Sequence, residues 1–183
     1  IRKNCDDGIC REIFKAAKNA QIRSNFGGHH MAVASAAIAL DSMPDTEEMF
    51  TWLNSPSEIT QKVEYKYGKK FSIYTGNSGG EMLATVLRDV NRDGFGNEVS
   101  IIYNQGWLTN IQDTVELFYN YDRDNELNLY NNPKFRKMFY STFKMTMAGN
   151  YSLQVGDQYS TASTGNLTDK AATLMGYLRL GDP

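Results

Sequence analysis

Excess positive charge and long apolar runs are both missing from this chain of 183 residues. The formal net charge is -2 and no run of Lys or Arg stands out, which argues against a protein held on nucleic acid by a basic surface. The longest apolar run, residues 31–40, is about half as long as a bilayer requires, and the start at Ile1 shows no basic-then-apolar leader. We therefore expect no membrane span and no nucleic-acid partner.

Cysteine is also scarce, with only Cys5 and Cys10 in the chain. The residues between them are enough to close a small disulfide loop in an oxidising compartment. Two cysteines without further ligands do not make a zinc site. A disulfide and a pair of buried thiols both remain open.

The residues that are present suit a folded, helical protein. With 41% hydrophobic residues the chain can bury a core, and apolar side chains recur at helical spacing over most of its length. The segment 71–75 alternates like a strand and stays ambiguous. Helices are predicted over residues 9–22, 31–40, 45–53, 81–90, 107–121, 133–148 and 167–180, with one further candidate helix over residues 56–67.

The helices and loops together predict the fold class. Six or seven antiparallel helices, joined by loops of uneven length, indicate an all-α protein over residues 1–183 as a single helical domain. The helix over residues 31–40 is apolar nearly all round, so we expect it to be buried on most sides. The unusual residues gather in three long loops, which is how a toroid or helical array builds a binding face.

The first of these loops covers residues 25–30 and ends in adjacent histidines. Asn25, His29 and His30 supply polar groups suited to proton transfer, and Gly27 with Gly28 allows backbone amides to approach a ligand. The alternative is a glycine turn whose histidines only begin the next helix.

The second loop has one interpretation as a calcium site. Asp89, Asn91 and Asp93 stand at positions one, three and five of a calcium-loop pattern, with Gly94 at position six. The twelfth position should be acidic but is Ser100. The loss of that bidentate ligand weakens the pattern, and Ca²⁺ at Asp89, Asn91 and Asp93 remains one alternative.

The same loop has a second interpretation that centres on Tyr103. A tyrosine beside Asn104 and near Glu98 can relay a proton when neighbouring groups ease its ionisation. The alternative is an aromatic side chain packed at the start of a helix.

Three short motifs follow one another along the chain. They are Asn25-Phe26-Gly27-Gly28, then Asp93-Gly94-x-x-x-Glu98-x-Ser100-x-x-Tyr103, then Val155-Gly156-Asp157 with Ser160-Thr161. In this order they resemble motifs of the heparinase II/III-like and alginate polysaccharide lyases, and the resemblance spans residues 25–165. The family usually has Gly after the Glu and His after the Tyr, whereas this chain has Val99 and Asn104 there.

The resemblance implies an incomplete (α/α) toroid and a lyase that cleaves a uronic-acid-containing polysaccharide by β-elimination. The proton removed lies α to a carboxylate, so the site needs donors facing that carboxylate and a base facing the carbon. Asn25 and one of the two histidines would face the carboxylate, and Tyr103 would act as base, acid or both. Residues expected to bind or orient the substrate are Glu98, Asn104, Trp107 and Asp157.

Family members place a further histidine in a β-rich domain after the toroid, whereas this chain has only His29 and His30. We therefore expect the toroid portion of a larger bacterial protein, secreted or periplasmic, that acts on an acidic polysaccharide such as a glycosaminoglycan or alginate and requires no cofactor. Two alternatives remain. One is a non-catalytic glycan-binding or calcium-stabilised helical module, and the other is an α/α-toroid glycoside hydrolase using two carboxylates among Asp93, Glu98 and Asp157.

Overall fold

The computed structural model describes most of the chain, including all but two of the predicted site residues. Those two, Asn25 and Asp157, lie outside the described residues. The chain divides into two compact units, Ile1–Ala84 and Thr85–Pro183. The described ranges are 2–23, 26–98, 100–121, 127–147, 151–152, 155–156 and 169–181.

The first unit contains a core of helices. Its helices are α1 (Arg2–Cys5), a π turn (Asp6–Cys10), α2 (Arg11–Lys18), α3 (Gly28–Leu40) and α4 (Asp45–Asn54). The helix predicted over residues 31–40 is confirmed and begins earlier, at Gly28. Cys5 is exposed, Cys10 is buried, and both are free thiols in this structure. The fully buried apolar side chains include Ala17, Val33, Ala37, Leu40, Met49 and Leu53.

The first unit also carries a β-hairpin, so the all-α prediction is wrong. Strands β1 (Ile59–Lys66) and β2 (Lys69–Asn77) pair in antiparallel fashion, where a helix was predicted over residues 56–67. The physical reason is the turn between the strands. Tyr67 and Gly68 have φ values of 53° and 72°, the left-handed pair that a two-residue hairpin turn needs and that a continuing helix cannot contain.

The prediction of an incomplete (α/α) toroid is wrong as well. In the described residues the helices belong to two compact units, and the hairpin interrupts the helical succession between α4 and the next helix, which begins at Met82. A toroid needs an unbroken series of antiparallel helix pairs. Within the described part of the chain no helix crosses a membrane, since none combines the necessary length and apolar character.

Helix α5 (Met82–Asp89) spans the boundary of the units, and the second unit continues with α6 (Ile101–Tyr119). The stripe predicted for the long helix is confirmed, because Trp107, Ile111, Val115 and Phe118 are all buried. A short 3-10 turn (Leu129–Asn131) then leads into α7 (Pro133–Lys144). The unit ends with β3 (Thr146–Met147) paired to β4 (Tyr151–Ser152), and with α8 (Lys170–Leu180).

An ionic network within the second unit attaches α8 to α6. The Arg179 guanidinium donates two hydrogen bonds to the Glu116 carboxylate, at 2.9 and 2.7 Å, and lies 3.8 Å from the centre of the Tyr119 ring. The Tyr130 hydroxyl donates to the same carboxylate. Burial opposes ionisation of Glu116, but the hydrogen bonds from Arg179 and Tyr130 keep its pKa below the ordinary value.

Candidate functional site

The loop before α6 is held rigidly by its own residues and by α7. The Asn91 side-chain oxygen accepts hydrogen bonds from the backbone N–H groups of Asp93 (2.8 Å) and Phe95 (3.0 Å). Gly94 has a φ of 93°, and a Cβ there would collide with the backbone of Lys137. Only glycine fits such a position. The Lys137 ammonium donates to the Arg92 carbonyl oxygen at 2.8 Å, which fixes the loop against α7.

Two of the three side chains predicted to bind calcium, Asp89 and Asn91, already accept hydrogen bonds within the protein. Both oxygens of Asp89 accept from the Arg88 guanidinium, at 2.9 and 2.8 Å, and the Asn91 oxygen serves the backbone of its own loop. No group of three metal-ligating His, Cys, Asp or Glu side chains occurs among the residues that the structure describes. Calcium binding stays a prediction.

Asn104 and Trp107 fix the end of the same loop from the first turns of α6. The Asn104 amide donates to the carbonyl oxygens of Glu98 (2.6 Å) and Ser100 (3.0 Å). A Cβ on Gly96 would lie 2.7 Å from the Trp107 ring, so glycine allows the close approach of loop and ring. Asn104 and Trp107 are only 5% exposed, which fits loop positioning, and their predicted substrate contacts stay a prediction.

Tyr103 is the third residue of α6 and is half-buried, while Glu98 in the preceding loop is exposed. Helix α6 is 19 residues long, and the N-terminus of such a helix carries a partial positive charge. A negative charge formed within its first turn is therefore stabilised. The loop and helix together place a tyrosine in a fixed position beside this positive end.

In the first unit, His30 is buried and has a structural role. Its Nε2 atom bonds the Gly80 carbonyl oxygen at 2.6 Å, which requires Nε2 to carry the proton. Burial, helped by the neighbouring His29, lowers the pKa of His30 to about 4. A side chain that is 1% exposed and neutral does not reach a substrate carboxylate.

His29 is the more accessible of the two histidines. Its ring is half-buried, 4.1 Å from the His30 ring centre and 6.4 Å from that of Trp52. Burial, with a smaller contribution from the charge of Arg23, lowers the pKa of His29 below 6.5. At neutral pH it is therefore an uncharged imidazole that can donate one N–H. These environments favour His29 over His30 as a group that contacts ligands.

The structure thus gathers the predicted residues into two clusters. Glu98, Tyr103, Asn104 and Trp107 lie together at the start of α6, and His29 and His30 lie at the start of α3. Trp52 and Gly80, which hold the histidines, were not predicted. A signal for Gly80 was present in the glycine pair that follows the hairpin, but nothing in the sequence linked it to His30.

No protein-family model, curated protein or solved structure matches this chain. The resemblance to polysaccharide lyases therefore depends on its three short motifs.

Proposed function

We propose that the chain is a polysaccharide lyase that cleaves a uronic-acid-containing polysaccharide, a glycosaminoglycan or alginate, by β-elimination. One observation carries the proposal: Tyr103 stands half-buried in the first turn of α6, next to a loop that Asn91, Gly94 and Asn104 hold in place. Proton transfer needs a group fixed within hydrogen-bond reach of the reacting atoms, and a rigid support supplies that fixation.

Tyr103 has the chemistry that β-elimination needs. The base takes the proton from the carbon α to the carboxylate, and the electron pair left behind forms a double bond to the neighbouring ring carbon. The bond from that carbon to the glycosidic oxygen breaks, and the departing oxygen takes a proton. A phenolate formed at the positive end of α6 is stabilised, and the resulting phenol can return its proton to the leaving oxygen.

The carboxylate of the sugar must lose part of its negative charge before the neighbouring proton becomes acidic. The resemblance implies that Asn25 and one of the two histidines take this task, and the environment of His29 suits it better than that of His30. The lowered pKa of His29 keeps its imidazole neutral at pH 7, so it acts as an N–H donor to the carboxylate rather than as a cation. The neighbouring His30 ring, whose Nε2 donates to the Gly80 carbonyl oxygen, lies 4.1 Å from the His29 ring.

The proposal is tested by incubating the protein with alginate, chondroitin sulfate, hyaluronan and heparan sulfate. Elimination creates a conjugated double bond, so we expect ultraviolet absorbance to rise with at least one polymer and the new ends to be unsaturated. Saturated products would show a hydrolase instead. Binding without cleavage would show a glycan-binding module, and either result would overturn the proposal.

A further inference from the structure

The β1–β2 hairpin is exposed along nearly its whole length. All eight residues of β1 and the first seven residues of β2 are exposed. Tyr65 is 76% exposed and Tyr67 at the turn is 90% exposed. Aromatic side chains gain most of their stabilising energy by burial, so neither ring is there to build the core. The hairpin is a ribbon whose side chains are available for a ligand.

The hairpin is basic in a chain that is not. Four lysines against one glutamate give the segment Ile59–Asn77 a formal charge of +3, whereas the whole chain has a net charge of -2. Lys62 is engaged with Glu64 at 2.8 Å, which leaves the positive charge concentrated near the turn. The lysines near the turn are Lys66, Lys69 and Lys70. This distribution is complementary to an anionic partner.

The strand register mixes the lysines with the aromatic rings. Tyr65 stands opposite Lys70 on one face, and Glu64 stands opposite Phe71 on the other. Lys66 and Lys69 face each other at the turn, and the Lys66 ammonium lies 5.6 Å from the centre of the Tyr67 ring. Like charges placed directly opposite each other destabilise a hairpin, so this pair favours a bound anion.

The base of the hairpin lies beside the histidine cluster of the same unit. The Trp52 indole donates to the Asn77 carbonyl oxygen at 3.1 Å, and the same Trp52 ring contacts His29. The Arg23 guanidinium lies 4.0 Å from the centre of the Tyr74 ring on β2. Arg23 also acts on the charge state of His29. A polysaccharide bound along the hairpin can therefore extend to His29 at the base of the hairpin.

From these observations we infer that the hairpin binds the anionic polysaccharide on which the protein acts, with lysines holding carboxylate or sulfate groups and tyrosines stacking on sugar rings. The inference rests on the proposed function for the identity of the polymer. Alternating cations and flat aromatic rings on an extended ribbon fit a linear polymer that repeats an anionic group and an apolar ring face.

The test measures binding separately from cleavage. Affinities for long alginate and long chondroitin sulfate, and for their tetrasaccharides, are determined in the Tyr103→Phe background. The lysine variant combines Lys66→Gln, Lys69→Gln and Lys70→Gln. The control variant loses the same charge at other exposed positions and combines Lys3→Gln, Lys15→Gln and Lys170→Gln. The lysine variant should bind the polymer about tenfold more weakly, because each exposed ionic contact contributes modestly, and the affinity of the control variant should change less than about twofold.

Cleavage kinetics in the background with Tyr103 intact distinguish the two proposals. The lysine variant should raise the KM for the polymer and leave kcat unchanged. Polymer binding that depends on the hairpin without any cleavage would uphold this inference and overturn the lyase. Cleavage with equal KM for the lysine variant and the control variant would overturn this inference alone. Failure to bind either polymer, or hairpin-dependent binding only to phosphatidylglycerol vesicles or to a second copy of the chain, would also overturn it.

Discussion

At the scale of single residues, two adjacent histidines have different tasks because they point to different surroundings. His30 is buried on Gly80, whereas His29 is half-buried and contacts Trp52. The sequence showed both as equal candidates. The difference arises from Gly80, where a Cβ would lie 2.9 Å from the His30 ring, and no local pattern around residues 29 and 30 reports it.

The burial of His30 makes the stability of the fold depend on pH. Its pKa falls from 6.5 to about 4 on folding, so the unfolded chain binds the proton more readily between these values. The free energy of unfolding is at its full value above about pH 6.5, and it decreases by up to roughly 3 kcal/mol as the pH falls toward 4.

The measurement is the free energy of unfolding of wild type and His30→Gln across this pH range. Glutamine can still donate to Gly80 but does not titrate, so the wild type should lose more stability than the variant on acidification. Parallel pH profiles of the two proteins would show that His30 is not responsible.

At the scale of elements, the hairpin contains a local conflict at its turn. Tyr67 occupies a left-handed position at φ 53° that suits Asn or Gly, and its ring is almost fully exposed. An exposed aromatic residue whose backbone is held in an unfavourable conformation is consistent with a ligand contact.

We therefore expect Tyr67→Asn to stabilise the hairpin locally by about 1 kcal/mol, because Asn tolerates the left-handed conformation better. Slower hydrogen exchange of the hairpin amides would report this gain, and polymer affinity should fall at the same time. The matched variant Tyr65→Asn removes a ring from an extended strand position and should not slow exchange. Equal exchange rates in the two variants would contradict the argument.

Helix α8 is attached to α6 through the Arg179–Glu116 pair. Arg179→Met removes two hydrogen bonds from the Glu116 carboxylate in a pair that is about one-fifth exposed, so we expect unfolding to become easier by about 2 kcal/mol. The control Arg88→Met breaks a pair with Asp89 in which the arginine side chain is 56% exposed, and it should cost less than about 0.5 kcal/mol. Denaturant unfolding compares them, and similar losses would show that the network does not hold α8.

At the scale of the whole molecule, periodicity predicted the long helices but placed a helix where the first strand of the hairpin lies. Helices α6 and α7 were predicted because their apolar side chains recur at helical spacing, and α3 was predicted because its segment is small and apolar nearly all round. Ile59, Val63 and Tyr67 also stand four residues apart, so the segment satisfied a helical pattern as well as an alternating one. The turn at Gly68 decides between the two patterns.

The candidate site was predictable only in part. The motif pointed to Tyr103, and the structure supplied the supports that the sequence does not show, including the contact of Gly94 with Lys137 and of Gly96 with Trp107. Such contacts depend on how separate segments pack. Asn104 was predicted to bind substrate, yet its hydrogen bonds go to the backbone of the preceding loop.

The most direct measurement is the rate of double-bond formation by Tyr103→Phe on the uronate polymer that the wild type cleaves. Removal of one hydroxyl from a proton-transfer residue should lower the rate by about 100-fold or more, with an unchanged melting temperature. The control Tyr177→Phe, which alters an exposed tyrosine on α8, should retain the wild-type rate. An undiminished rate in Tyr103→Phe would contradict the assignment of Tyr103 and with it the proposed mechanism.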